Sequence, residues 1–167
     1  RVPFIVMGPG INKTRYSETP ISFSDLLPTI IDIAGNKRLK NNELDGGSFK
    51  HILNNQNKIV KRKTEGLIFH VPYENKIALE RAHSSIIIDS LKLIKFHDNN
   101  EIILYDIKND LNETVDLSKD SGNKKITKTK IATRFERLLD EYLRKVKAPK
   151  WKPGITWKEN SIKVINS

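Results

Sequence analysis

The apolar positions change period three times along the chain. Phe4-Ile5-Val6 is a short continuous run, closed by Gly8-Pro9-Gly10. A run without alternation predicts a strand buried on both faces, as inside a parallel sheet. Ile11 to Thr19 is a polar connector. Phe23, Leu26, Leu27, Ile30, Ile31 and Ala34 then fall at helical spacing and form one stripe. Ser22 and Asp25 stand in capping-box spacing. Pro28 predicts a loose first turn, with the helix restarting there. Gly35 is the expected C-terminal cap. Asn36 to Asn42 is charged and polar, a boundary. Gly46-Gly47 marks a tight turn, and Ser48 caps a short helix holding Phe49, Ile52 and Leu53. Asn54 to Thr64 is a basic, Asn-rich loop.

From residue 66 the spacing becomes that of strands. Gly66 to Val71, Ser84 to Ile88, Leu91 to Phe96 and Ile102 to Ile107 are the four candidates. The connectors Asp89-Ser90 and His97 to Glu101 are of hairpin length, so the last three strands read as an antiparallel meander. Asp110 to Asp120 is a polar loop. A longer helix is expected from Thr127 or Thr129 to about Val146, stopped by Pro149. Ile131, Phe135, Leu138, Leu139, Tyr142 and Val146 line one face, which would cover one side of the sheet. Arg144, Lys145 and Lys147 complement the dipole at its end. Trp151 and Trp157 lie in a terminal tail. These elements divide the chain into 1–36, a strand and helix of α/β type; 37–147, an α+β unit with a small four-stranded antiparallel sheet covered by a helix; and a tail, 148–167.

Composition narrows the classes. The chain has 167 residues, 37% of them hydrophobic, enough for one domain or parts of two. No stretch approaches the roughly 20 apolar residues that span a bilayer, so no membrane partner is expected. Neither a starting Met nor a signal peptide is present, and the run at Phe4 has nothing before it to lead into a sheet. Both predict that the original N-terminus is elsewhere or has been removed. Cysteine is absent. That excludes disulfides, thiolate zinc sites and a cysteine nucleophile within the chain, and leaves the compartment open. The net charge of +10 favours polyanions; a generally lysine-rich composition explains it equally well. The denser clusters, Lys58 to Lys63 and Lys124 to Lys130, lack the interleaved aromatics of a single-strand binder, and no nucleic-acid partner is expected.

The candidate chemistry is sparse. The four histidines are far apart in sequence and form no His-x-x-x-His pair, so zinc has little support. No Ser sits in a Gly-x-Ser-x-Gly elbow, and no Gly-rich loop matches a phosphate cradle. His70 closes an apolar strand before Val71-Pro72-Tyr73, and strand ends are where sites are built. Arg81 and His83 precede the next strand and could reach the same rim, where an Arg fork suits sulfate or carboxylate. Each has a plainer reading: one ordinary hydrogen bond for His70, an exposed loop for Arg81 and His83. His51 and His97 read as structural or solvated. Asp25, Asp45 and Asp110 read as caps and turns.

The order of segments resembles a known family. "RVPFIVMGPG", "SFSDLLPTIIDIAG", "LDGGSF", "GLIFHVPY", "LKLIKF" and "EIILYDIKNDLNETVDL" are similar, in that order, to the C-terminal stretch of sulfatases of the alkaline-phosphatase superfamily. The last motif reads here as Leu104-Tyr105-Asp106-Ile107, then Asp110, Glu113, Asp116 and Leu117. The resemblance covers residues 1 to about 117, plus the final helix in kind. One departure concerns the Arg and Gly that the family often places at the hairpin before Lys-Leu-Ile; Ile87 or Ile88 and Asp89-Ser90 stand there.

The resemblance implies the last strand and helix of an alkaline-phosphatase-like α/β domain, followed by its C-terminal subdomain. It implies hydrolysis of sulfate esters by the intact protein, on a sulfated carbohydrate. It places the formylglycine nucleophile, from a Cys/Ser-x-Pro-x-Arg motif, and the calcium ligands upstream of Arg1, so the partner of this chain is the upstream catalytic part. Arg1 would pair with a carboxylate there. His70 would face the sugar, with His83 and Arg81 beside it. A periplasmic or secreted location is favoured. Two other readings stay open: a phosphate or phosphonate ester hydrolase of the same superfamily, and a non-enzymatic module that binds polyanions.

Overall fold

The structure is a computed structural model. It describes residues 2–11, 16–35, 44–54, 59–74, 81–119 and 125–153, with side chains in the last helix from residue 130. The chain divides into two compact units, Arg1–Glu65 and Gly66–Ser167. The boundary expected after residue 36 lies outside the described residues.

In the first unit, Val2 to Met7 joins no ladder. A strand exists only by hydrogen bonding to a neighbour, and none of the described residues supplies one. Ile5 and Met7 are exposed, while Phe4 sets its ring edge-on to Phe49 with centroids 5.9 Å apart. The helical segment begins as a 3-10 turn, Phe23–Asp25, and continues as α1, Leu26–Ile33. The expected loose turn is there, and the restart comes at Leu26. Pro28 lies in the first turn of α1, where its missing N–H has no intrahelical acceptor to lose. Gly35 follows at φ +68° and ends the helix. α2, Lys50–Leu53, completes the unit.

α1 is turned against its pattern. Phe23, Leu27, Ile30 and Ile33 are exposed, Phe23 to 84% and Ile30 to 61%. Its buried positions are Asp25, Pro28 and Thr29, with Leu26 and Ile31 of the stripe half-buried and Asp32 exposed. Asp25 and Thr29 are inaccessible or nearly so, and with Asp32 they occupy positions i, i+4 and i+7 on one face. The capping box is complete: the Ser22 backbone N–H donates to Asp25 Oδ2 at 2.8 Å, and Ser24 N–H reaches the Ser22 hydroxyl. The Phe49 N–H donates to Thr29 Oγ1 at 3.0 Å, and Ser48 Oγ donates to Asp32 at 2.7 Å. Gly46 and Gly47 permit this approach. A Cβ on Gly46 would collide with the Ser24 carbonyl, and one on Gly47 with the Lys61 carbonyl.

The second unit is a sheet of order β1-β2-β3-β4, antiparallel throughout. The strands are Leu67–Val71, His83–Ile88, Leu91–Phe96 and Ile102–Asp106. All four were legible from alternation and turn residues. Asp89 and Asn100 hold left-handed turn positions, at φ +52° and +57°, which Asp and Asn tolerate better than other non-glycine residues. α3, Lys125–Lys145, lies on one face. There Ile86, Leu93 and Leu104 form a closed core with Ala132, Phe135 and Leu139. Burying each large side chain is worth roughly 1.5–3 kcal/mol. Lys95 Nζ ties sheet to helix, 2.9 Å from Glu136 and 2.8 Å from Asp140.

Two details of α3 differ from expectation. Ala132 belongs to the core, whereas Val146 lies beyond the helix and is exposed. The stop is a Schellman turn: Ala148 N–H bonds the Leu143 carbonyl, Lys147 N–H bonds the Arg144 carbonyl, and Lys147 has φ +51°. Pro149 then follows. No helix among the described residues is long and apolar enough to cross a membrane.

Candidate functional site

The sequence singled out one end of the sheet, and the structure shows how its side chains are arranged there. Pairing sets His70 opposite Ser84, Val71 opposite His83, and Ser84 opposite Lys95. Side chains alternate between faces along a strand, and paired residues share a face. His70, Ser84 and Lys95 therefore lie on the α3 face, and His83 on the other. The three candidates sit at the same end of the sheet, but His70 and His83 are on opposite faces.

His70 is joined to residues that sequence reasoning set aside. Its Nδ1 is 2.7 Å from Ser84 Oγ, and the same oxygen is 2.8 Å from His97 Nε2. The two imidazoles meet edge to face, centroids 5.5 Å apart. His70 Nε2 donates to the Pro149 carbonyl at 2.8 Å. Burial pushes both histidines below the usual imidazole range; the Pro149 carbonyl partly opposes this at His70, and the charges of His70, Lys95 and His83 add to it at His97.

Arg81 serves the β3–β4 turn. Its Nε and Nη2 donate to Asp98 at 2.8 and 2.7 Å, Nη1 to Glu101 at 3.2 Å, and Nη2 to Asn99 at 3.0 Å. The guanidinium lies 3.8 Å from the Phe96 ring centroid, a cation–π contact. His83 Nδ1 donates to the Arg81 carbonyl at 2.7 Å, its ring tilted against Phe96. The Arg81 charge is thus opposed by two carboxylates.

The carboxylates of the last motif brace a loop. Asp106 accepts from the Lys108 and Asn109 amides. Asp110 accepts from Thr114 and Val115, Asp116 from Leu104 and Ser118, and Glu113, at φ +55°, pairs with Lys92 at 2.7 Å. Asp110 thus acts as a turn residue. Asp25 does more than cap. Arg62 Nε and Nη2 donate to its two oxygens at 2.8 and 2.6 Å, and Gly47 N–H donates at 2.9 Å. Burial alone would push this carboxyl up; the Arg62 hydrogen bonds, the Gly47 and Ser22 amides and the Arg62 charge outweigh it and hold the carboxyl below its usual range. Among the described residues no group of three or more His, Cys, Asp and Glu could hold a metal ion. The described residues thus offer no cluster for calcium, and with no cysteine and no Cys/Ser-x-Pro-x-Arg motif the chain does not fit formylglycine.

The fold, a four-stranded antiparallel sheet backed by one helix, has counterparts among known proteins. Solved structures share it. One is a protein in complex with its substrate D-glucosamine-2-N,6-O-disulfate, 26% identical, TM-score 0.52, matched over 74% of this chain and 24% of that one. Another is a 2-O GAG sulfatase, 24% identical, TM-score 0.56, over 84% of this chain and 29% of that one. Residues 1–141 match the family described as N-sulphoglucosamine sulphohydrolase, C-terminal, and the chain belongs to that family. It is also 45% identical over 53 residues to N-acetylglucosamine-6-sulfatase of Bos taurus, 32% of this chain and 9% of that protein. The chain thus spans about a tenth of this curated relative and about a quarter of the solved structures.

Proposed function

We propose that this chain is the C-terminal part of a sulfatase that hydrolyses sulfate esters of a carbohydrate. The family match over residues 1–141 carries this reading, and the glucosamine sulfates in the names of two similar proteins suggest the substrate class. Sulfate-ester hydrolysis needs a nucleophile at sulfur and cations to hold the non-bridging oxygens. In this reading both belong to the preceding catalytic part, as formylglycine and calcium. The exposed face of α1, with Leu27, Ile30 and Ile33, is the surface that part would cover. His70, and with it His83 and Arg81, contributes to the sugar-binding rim.

The test uses the longer protein that contains this chain. It should hydrolyse both a sulfated oligosaccharide and a small aryl sulfate, while residues 1–167 alone turn over neither, with or without calcium. His70→Ala should weaken use of the oligosaccharide about 5- to 150-fold in catalytic efficiency, the cost of one lost hydrogen bond, and leave the aryl sulfate nearly unchanged. Equal losses on both substrates would place His70 at the sulfur centre or in the fold. No loss on either would remove it from the pocket. Turnover by the 167-residue chain would overturn the assignment of the nucleophile to the preceding part.

A further inference from the structure

Ser84 has no exposed surface and stands between two imidazoles. The contacts fix where each hydrogen lies. The Pro149 carbonyl can only accept, so His70 Nε2 carries a hydrogen wherever that contact stands. In neutral His70 the other nitrogen is then a bare lone pair, and the Ser84 hydroxyl donates to it. That uses the only hydroxyl hydrogen. His97 Nε2, facing the same oxygen, must be the donor.

We propose that Ser84 and His97 are positioning residues that hold His70 as an Nε2–H donor, and that the His70–Ser84–His97 group accepts one proton in all. This rests on the reading of His70 as a sugar-facing residue and deepens it. If His70 takes the proton, its Nδ1–H donates to Ser84, the hydroxyl turns to His97 Nε2, and His97, having given up its Nε2 hydrogen, becomes the neutral Nδ1–H tautomer. If His97 takes it, the neutral arrangement at His70 persists. Both states keep the two hydrogen bonds at Ser84 Oγ and the one from His70 Nε2 to the Pro149 carbonyl. With both rings charged, two N–H groups would point at one oxygen and the buried hydroxyl hydrogen would lose its acceptor, a cost comparable to any unsatisfied buried donor. Two like charges would also face each other at short range.

The charged surroundings act in both senses. His83 on β2 and Lys95 on β3 oppose a further positive charge, and Asp140 on α3 opposes them at His97. In every allowed state His70 Nε2–H remains a donor. What binds there must offer an acceptor oxygen, a sulfate oxygen or a sugar hydroxyl, and must take the place of the Pro149 carbonyl. An ammonium group, a donor only, is refused.

Long-range nitrogen–proton NMR of the histidine rings in the 167-residue chain tests this directly. At about pH 8 both His70 and His97 should be Nε2–H tautomers. Between about pH 8 and 5, the histidine range, the two rings together should gain one proton. Ser84→Ala should release His97 from its tautomer and let the rings titrate separately, two protons in all; Ser84→Thr, which keeps the hydroxyl, should restore the single proton. A His70 Nδ1–H tautomer in the unmodified chain, or two independent protons there, overturns the proposal even if Ser84→Ala fails to fold. Failure of the sulfatase reading would appear only in the turnover of the longer protein.

Discussion

α1 and α3 carry the same kind of apolar stripe, and they use it in opposite ways. Phe135 and Leu139 of α3 are buried against β2 and β3 in a core that unit 2 closes by itself. Leu27, Ile30 and Ile33 of α1 are exposed, and the first unit is held from the polar side through Asp25, Thr29 and Asp32. An amphipathic pattern states that a face needs cover; it does not state which molecule or segment provides it. Polar groups can anchor a helix when every donor and acceptor is met, as around Asp25, which accepts from two nitrogens of Arg62 and two backbone amides.

The contrast can be broken most forcefully at the core. Phe135→Ala should cost about 3–5 kcal/mol in urea unfolding of the second unit, through lost burial and a cavity. Ile30→Ala in the same chain should change stability by no more than about 0.5 kcal/mol, as at other exposed positions. Similar losses for the two would mean that the α1 stripe is covered within the chain. Next in size is Arg62→Ala, which leaves a buried carboxylate without its partner and should cost about 3 kcal/mol. The loss should appear as faster amide exchange at Gly47 and Phe49, with α3 unaffected. Exchange that rises equally in both units would merge them into one cooperative body.

The two units should also separate by pH. His70 and His97 have folded-state values below the ordinary 6.5, so the unfolded chain binds more protons there. Their contribution is complete above about pH 6.5 and is lost as pH falls through the folded values. Asp25, held below 3.8, contributes fully above about pH 3.8 and loses its contribution only under stronger acid. Amide exchange followed from neutral to acid pH should therefore loosen the sheet near His70 before the Asp25 knot; the reverse order would discard this assignment of charges. The smallest effect is expected at the end of α3. Lys147→Gly relieves a left-handed backbone at φ +51° and should raise the stability of the second unit by about 0.5–1 kcal/mol. A loss would show that the lysine side chain matters more than the strain.

Much of this protein was determined by signals that act within a few residues. Alternation set the strands, Asp89-Ser90 set a two-residue hairpin, Ser22 and Asp25 set a capping box, and the ordered motifs identified the family. These depend on backbone sterics and on neighbours at i+2 to i+4, which the sequence displays directly. What only the tertiary structure decided involves partners that are distant in the chain. Arg62 meets Asp25 across 37 positions, and the Pro149 carbonyl meets His70 across 79. His97, read as structural or solvated, is joined to His70 through Ser84, and His70 and His83 are parted by the pleat of adjacent strands. The orientation of α1 was decided the same way. Its spacing marks an apolar and a polar face equally well, and the saturated hydrogen bonds of Asp25 and Thr29, formed by segments 20 or more positions away, determine which face turns inward.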